Sequence, residues 1–303
     1  MSDSLTELKS MFKQGDLLTK LIFINCAAYL AVAMLGLIAY LCKLGFSPND
    51  FLALPAAFSN AIGKPWTLLT YMFTHNHFFH FIFNMLMLYW MGKIFLYFNQ
   101  ARDIVNLYIL GGIAGGLTFI AAYSLFPALN YQAGYTVLVG ASASILAILA
   151  AAATQQPEMP IKLTLLGEIK MKWIAIAVIA MGVLSDYATN PGGCISHLGG
   201  AVCGFFYAKE LRKGKNIAAW VGQCIDSVVN LVARTRGNAK GNAKFKVVYD
   251  RDKDGKRNTV DEDYNMRKKN ANDEIDAILD KIKISGYGSL TKEEKEKLFN
   301  AGK

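Results

Sequence analysis

Apolar residues fill most of the stretch 18–212 and thin out abruptly after it. A membrane-crossing helix needs about 20 predominantly apolar residues. Runs of that kind are read near 18–42, 78–98, 103–126, 137–154, 171–187 and 196–212, the fourth and fifth being short. The segment 43–77 is too long and too apolar for a simple connection. Phe46, Phe51, Leu52, Leu54, Phe58 and Trp66 are interrupted there by Pro48, Pro55 and Pro65. This predicts a structured first loop lying partly in the outer interface, a depth that aromatic side chains favour. After the last span, Trp220, Ile225, Val228, Val229, Leu231 and Val232 recur at helical spacing ahead of Arg234 and Arg236. That pattern predicts an interfacial amphipathic helix within 213–236. Residues 237–270 are rich in Gly, Asn, Lys and Asp and read as a linker. The final stretch, 271–303, predicts two short helices. One lies near 273–284 with Ile275, Ile278, Leu279 and Ile282 on one face. The other starts after Thr291, which has the spacing of a capping box with Glu294.

Composition agrees with a membrane domain followed by an aqueous tail. Of the 303 residues, 53% are hydrophobic, which is high for a soluble protein. The net charge of +9 does not point to nucleic acid. Much of the excess flanks the apolar spans, where basic residues meet anionic lipid headgroups. With the N-terminal segment 1–17 placed in the cytoplasm, the inner side holds Lys9, Lys20, Lys93, Arg102, Lys170, Lys209 and Arg212 among others, and the outer side holds only Lys43 and Lys64. The bias predicts a multi-pass protein of the cell membrane with both termini cytoplasmic. The N-terminal residues are polar and carry acids, unlike a signal peptide. The fold class expected is all-α: six transmembrane helices over 18–212, with a small helical cytoplasmic tail whose two-helix module serves regulation or partner binding. Cys26, Cys42, Cys194, Cys203 and Cys224 show no CxxC or metal-ligand spacing and read as packing residues. His75, His77 and His80 have no nearby Cys, Asp or Glu to complete a metal site. Asp250, Asp252 and Asp254 resemble a calcium loop but lack its closing Glu, so neither a metal nor a cofactor is expected.

Polar groups inside a bilayer are costly and are functional candidates by default. His80, Ser142 and His197 stand at or just inside the outer starts of the second, fourth and sixth expected spans. Three distant segments therefore bring reactive groups to a similar depth. A serine attacks, a histidine takes its proton, and further donors hold an oxyanion. Ser142, set among Gly140, Ala141 and Ala143, is the candidate nucleophile, with Ser144 its rival two residues on. The small residues also fit ordinary helix packing. His197 precedes Gly200-x-x-x-Gly204, a pattern that permits close approach of helices. If the partner is the fourth helix, His197 reaches Ser142 as general base. A buried structural histidine is the other reading. His80 and Asn84, four residues apart, share a helix face and can hold an oxyanion together with the Ser142 N–H, or can instead pair with neighbouring helices.

Taken together these motifs resemble the rhomboid family of intramembrane serine proteases over about 60–212. The GxS, HxxxN and HxxGxxxG motifs stand in the family's order, and Pro65-Trp66-Thr67 through His75 looks like the end of its first loop. The resemblance implies a Ser142–His197 dyad with no acidic member and an oxyanion site from His80, Asn84 and the Ser142 amide. It implies a serine endopeptidase that cuts membrane-anchored transmembrane protein substrates near the outer face. Gly111-Gly112 and Gly115-Gly116 resemble its close-packed third helix. The chain departs from the family pattern at Ala143 (commonly Gly), Leu146 (often aromatic) and Thr67 (often Arg), and none of these removes a catalytic atom. The competing class is a non-catalytic rhomboid-like scaffold or a transporter. The transporter is disfavoured by the lack of internal repeats and midplane charge pairs.

Overall fold

Asp16 opens the first long helix. Its carboxylate accepts the Thr19 N–H at 2.7 Å, satisfying one of the amides that a helix start leaves free. Lys93, from the next long helix, pairs with the same carboxylate at 3.0 Å. The computed structural model describes residues 12, 14–163, 167–185 and 187–235, together with positions 291 and 294. Its long helices are α1 (Leu17–Leu41), α2 (Phe78–Leu96), α3 (Ala101–Leu125), α4 (Ser142–Gln155), α5 (Met171–Leu184), α6 (Pro191–Arg212) and α7 (Ala219–Thr235). Of these, α1, α2 and α3 are long and apolar enough to cross a membrane. Their outward faces carry Leu30, Met34 and Leu41 on α1, Phe79, Phe83 and Trp90 on α2, and Leu117 on α3, all exposed. So much apolar surface is stable only against hydrocarbon. The molecule is a mostly helical membrane protein.

The helix α4 lies at the centre. Every residue from Ala143 to Ala153 is buried, as expected of a helix that is apolar all round. It packs most heavily against α6 and α3, and small residues make this possible. A methyl group at Gly111 would strike Ala147, and one at Gly115 would strike Ala143. From the other side, a methyl at Gly200 would fall on the Ala143 carbonyl and one at Gly204 on the Ala147 carbonyl. Backbone therefore lies on backbone, a contact in which dispersion rather than hydrophobic transfer holds helices together in lipid. At the far end of α4, Arg212 caps the last turn by donating to the Thr154 and Gln155 carbonyls, the latter at 2.8 Å.

At 14 residues, α4 is about 21 Å long, shorter than the roughly 30 Å hydrocarbon core. Its start therefore needs other backbone to reach it. Strand β1 (Leu54–Pro55) pairs antiparallel with β2 (Val137–Leu138), Leu54 opposite Leu138. The helix expected from 137 thus begins at Ser142: the apolar run Val137–Leu138 is a strand. Pairing matters here because irregular backbone at membrane depth is tolerated only where protein satisfies it. Side chains brace the first loop in the same way. Trp66 donates to the Phe51 carbonyl at 2.8 Å, Thr70 to the Leu52 carbonyl at 2.7 Å and Lys64 to the Asp50 carbonyl at 2.7 Å.

After α4, β3 (Pro160–Leu163) and β4 (Gly167–Lys170) form a hairpin leading into α5. The sixth helix starts at Pro191, five residues ahead of the expected 196. Asn190 caps it by accepting the Gly193 N–H at 2.9 Å, and proline suits the first helical position. Helix α7 is fastened to the start of α3. Arg102 donates to the Gly222 carbonyl at 2.7 Å and pairs with Asp226, while Asn216 donates to Asp103 at 2.8 Å. Beyond 237, Thr291 and Glu294 exchange reciprocal backbone–side-chain bonds at 2.7 and 3.3 Å, the expected capping box. The expected helix near 273–284 and the linker 237–270 lie outside the described residues.

Candidate active site

The nucleophile candidate is fixed by the turn before α4. Gly140 has a φ of +118°, a conformation that side-chain-bearing residues rarely adopt, and a methyl there would lie 2.9 Å from the His80 ring. Its N–H donates to the Tyr71 carbonyl at 2.9 Å, and the Tyr71 hydroxyl donates to the Gly112 carbonyl at 2.6 Å. The glycine-lined third helix, the first-loop segment and the serine turn are therefore one connected unit. Ser142 follows as the first residue of α4, where an amide has no carbonyl four residues back to bond. That free N–H and the positive end of the helix favour a developing negative charge beside the hydroxyl.

His197 stands on α6 with both ring nitrogens engaged. Nε2 lies 2.6 Å from Ser142 Oγ and Nδ1 lies 2.6 Å from the Gly182 carbonyl. A carbonyl only accepts, so Nδ1 carries the proton and Nε2 is free to accept the serine proton. Gly182 is in the last turn of α5, where carbonyls are left without an intrahelical donor. The end of α5 thus supplies the acceptor that orients the imidazole, a place that a carboxylate fills in acid-containing triads. The negative end of the α5 dipole also faces any charge that forms on the ring.

These groups open onto one cavity of about 480 Å³, lined by His77, His80, Leu138, Val139, Ser142, Gly182, Ser185, Asn190 and His197 among others. Ser144 is not on its wall. It is fully buried, with Oγ 4.0 Å from Met72 Sδ and against Gly112. The cavity therefore receives Ser142, His197 and His80, but not Ser144. Asn84, one turn along α2 from His80, is buried behind the wall, and its Nδ2 has no hydrogen-bond partner. Buried donors are almost always paired, so an unpaired amide here is an unused donor one helical turn from His80.

Three further contributors were not among the expected catalytic residues. His75 is buried, and the Ala141 N–H points to its Nε2 at 3.4 Å. Burial, and then the neighbouring His80, pull its pKa down to about 4, so at neutral pH it is an acceptor that steadies the serine turn. Tyr71 anchors Gly140, and its position in an aromatic stretch gave no hint of this. Gly182 acts through a backbone carbonyl, which no residue letter announces. Among the described residues, no cluster of His, Cys, Asp and Glu is arranged to hold a metal ion.

The family model for the Rhomboid domain matches residues 63–213, a stretch that contains every residue lining the cavity. The chain belongs to the rhomboid family. Its rhomboid domain ends just before α7, and a second match, to a family of unknown function (DUF6576), covers residues 258–300. No curated protein matches the chain. Within the rhomboid domain, the departure at Leu146 has a local consequence. Leu146 Cδ1 would lie 3.3 Å from a methyl placed on Gly182, as would His197 Nδ1. The space under the histidine is thus filled jointly by an aliphatic side chain and the close approach of α5.

Proposed function

We propose that this rhomboid is an intramembrane serine endopeptidase acting on membrane-anchored proteins. The reading rests above all on one observation, the 2.6 Å contact of Ser142 Oγ with a histidine whose other nitrogen already donates to Gly182. In the proposed reaction Ser142 Oγ attacks the scissile carbonyl while its proton passes to His197 Nε2. The tetrahedral oxyanion accepts hydrogen bonds from the Ser142 N–H and His80, and from Asn84 once its unpaired amide turns toward the cavity. His197 returns the proton to the leaving amine, and water then releases the acyl group from Ser142 by the same base. Opposite the leaving group, the Gly182 carbonyl stays bonded to Nδ1 and stabilises the transient imidazolium.

The proposed arrangement in the membrane is six spans, α1 to α6, in the cell membrane with both termini cytoplasmic. The cavity then opens near the outer face, and a substrate helix must unwind there because a helical backbone shields its carbonyls. The basic bias toward the α3 start and the α6 end supports this orientation. The tail beyond 237 would be a cytoplasmic module for regulation or partner binding.

The test is cleavage of a model transmembrane protein by the full chain in liposomes. Cleavage near the outer end of the substrate's span is expected. An intact substrate, with the enzyme properly folded, would favour the scaffold reading instead. His80→Ala and Asn84→Ala are each expected to lower the rate about 10²–10³-fold, with substrate affinity changed far less. Gly182→Ala is expected to lower kcat by roughly tenfold, since a methyl 3.3 Å from Nδ1 pushes the imidazole aside by a few tenths of an ångström and rates fall steeply with misplacement of a reacting group. Measuring kcat and KM separately distinguishes this from lost binding, and adding Leu146→Ala should restore part of the loss.

A further inference from the structure

A second cavity lies at the opposite end of α4 from Ser142. Its volume is about 510 Å³, and it is an open groove bordered by α4, α5 and α6. It exists because the three facing helices carry small side chains there: Ala150 and Ala153 on α4, Ala175 on α5 and Ala201 on α6. Ile176 and Phe205 form its rim and are exposed. Apart from Thr154 and Lys172 the lining is apolar. Its α4 lining begins at Ala150, about 12 Å along the helix from the nucleophile at 1.5 Å per residue, and the groove shares no lining residue with the first cavity.

Cations ring one end of it. Lys172 is part of the wall. Lys209 Nζ stands 5.3 Å from the centroid of the Phe205 ring, and Arg212 is bonded to the Thr154 carbonyl. Two carboxylates compete: Glu158 pairs with Lys170 at 2.8 Å and with Lys172, and Glu210, beside Lys209 in sequence, pairs with Lys213 and also feels the Lys209 charge. Lys170 and Lys172 hold the Glu158 carboxyl down at about 2, so it stays ionised and occupies part of the Lys172 charge. Lys209, which makes no ion pair among the described residues because Glu210 is held by Lys213, and the remaining charge of the lysine pair are left for an anion.

An apolar trough that opens among exposed apolar side chains and ends in cations matches one class of molecule. We propose that this groove binds a single anionic phospholipid, with an acyl chain lying against Ala153, Ala175 and Ala201 and the phosphate at the Lys172 and Lys209 end. An apolar groove left empty forfeits contacts on its lining, and in a bilayer an acyl chain is the filler at hand. Anionic headgroups gain roughly 1 kcal/mol per nearby lysine, about fivefold in affinity. The expected site therefore discriminates by headgroup as well as by chain.

The experiment is native mass spectrometry of the delipidated full chain, titrated with dioleoyl phosphatidylglycerol or dioleoyl phosphatidylcholine. One phosphatidylglycerol is expected to stay bound at activation energies that strip phosphatidylcholine. Lys209→Gln and Lys172→Gln should each weaken retention about fivefold. Ile176→Trp, at an exposed rim position, should abolish it by filling the groove. Circular dichroism and gel filtration check that each variant is folded, and Val202→Trp provides a second rim variant. Equal retention of both lipids would overturn the proposal, as would undiminished retention in folded Ile176→Trp and Val202→Trp. Retention of inorganic phosphate in place of lipid would overturn it too. None of these readouts depends on proteolysis.

Discussion

Ser142→Ala is expected to abolish cleavage of a transmembrane substrate, by a factor of at least about 10⁴, while the helical fold survives. The hydroxyl is the only part removed, and Ser142 sits at a helix start already shaped by Gly140 and Tyr71. The rival Ser144 is fully buried against Met72 and Gly112, so it has no route to a substrate carbonyl. Ser144→Ala should leave most of the activity. His197→Ala should be as damaging as Ser142→Ala, and the double variant little worse, because two groups that act as one unit do not lose activity multiplicatively. Initial rates of all four variants in the same liposomes decide this. Multiplicative losses would separate the two residues into independent roles and end the dyad.

The second large effect concerns packing. Gly200→Ala places a methyl on the Ala143 carbonyl, and backbone of the buried central helix cannot swing aside as a flexible side chain does. Overpacking of this kind costs about 1–3 kcal/mol. Gly200→Leu should exceed that and prevent assembly of α6 on α4. The damage should also reach the chemistry, because His197 is one helical turn before Gly200. A shift of α6 by roughly an ångström would draw its Nε2 away from Ser142 and lower the rate about 10²-fold. Gly63→Ala is the control, since nothing lies within 4 Å of a methyl there, and its melting temperature should be unchanged. Thermal melts in detergent, paired with rates on the same samples, check both parts. Unchanged melting of Gly200→Ala would mean that α4 and α6 do not meet at this distance.

Much of this architecture could be read from sequence because lipid imposes simple rules. Apolar runs marked the long helices within a few residues, and Gly200-x-x-x-Gly204 marked the face of α6 that meets α4. Pattern alone failed where short apolar runs are ambiguous. Val137 and Leu138 read as helix because nothing local distinguishes a short apolar strand from a helix turn. The pairing with Leu54 and Pro55 that decides the matter is remote in sequence. The start of α6 was legible in Asn190-Pro191, a cap followed by a first-turn proline, but its low hydropathy hid it. In the cavity, side-chain chemistry pointed to Ser142, His197 and His80. The carbonyls of Gly182 and Tyr71 could not be read, because a backbone acceptor depends on where a helix ends in space. Asn84 illustrates the converse: its letter stood out, yet it lies behind the cavity wall with an unused donor.

The most direct measurement is covalent labelling of the purified full chain with a fluorophosphonate, followed by peptide mapping. Only a serine whose proton is taken by a base should react. One modified residue is expected, Ser142, with labelling lost in His197→Ala and slowed in Gly182→Ala. No label on folded protein, label on Ser144, or full labelling of Ser142 in His197→Ala would contradict it.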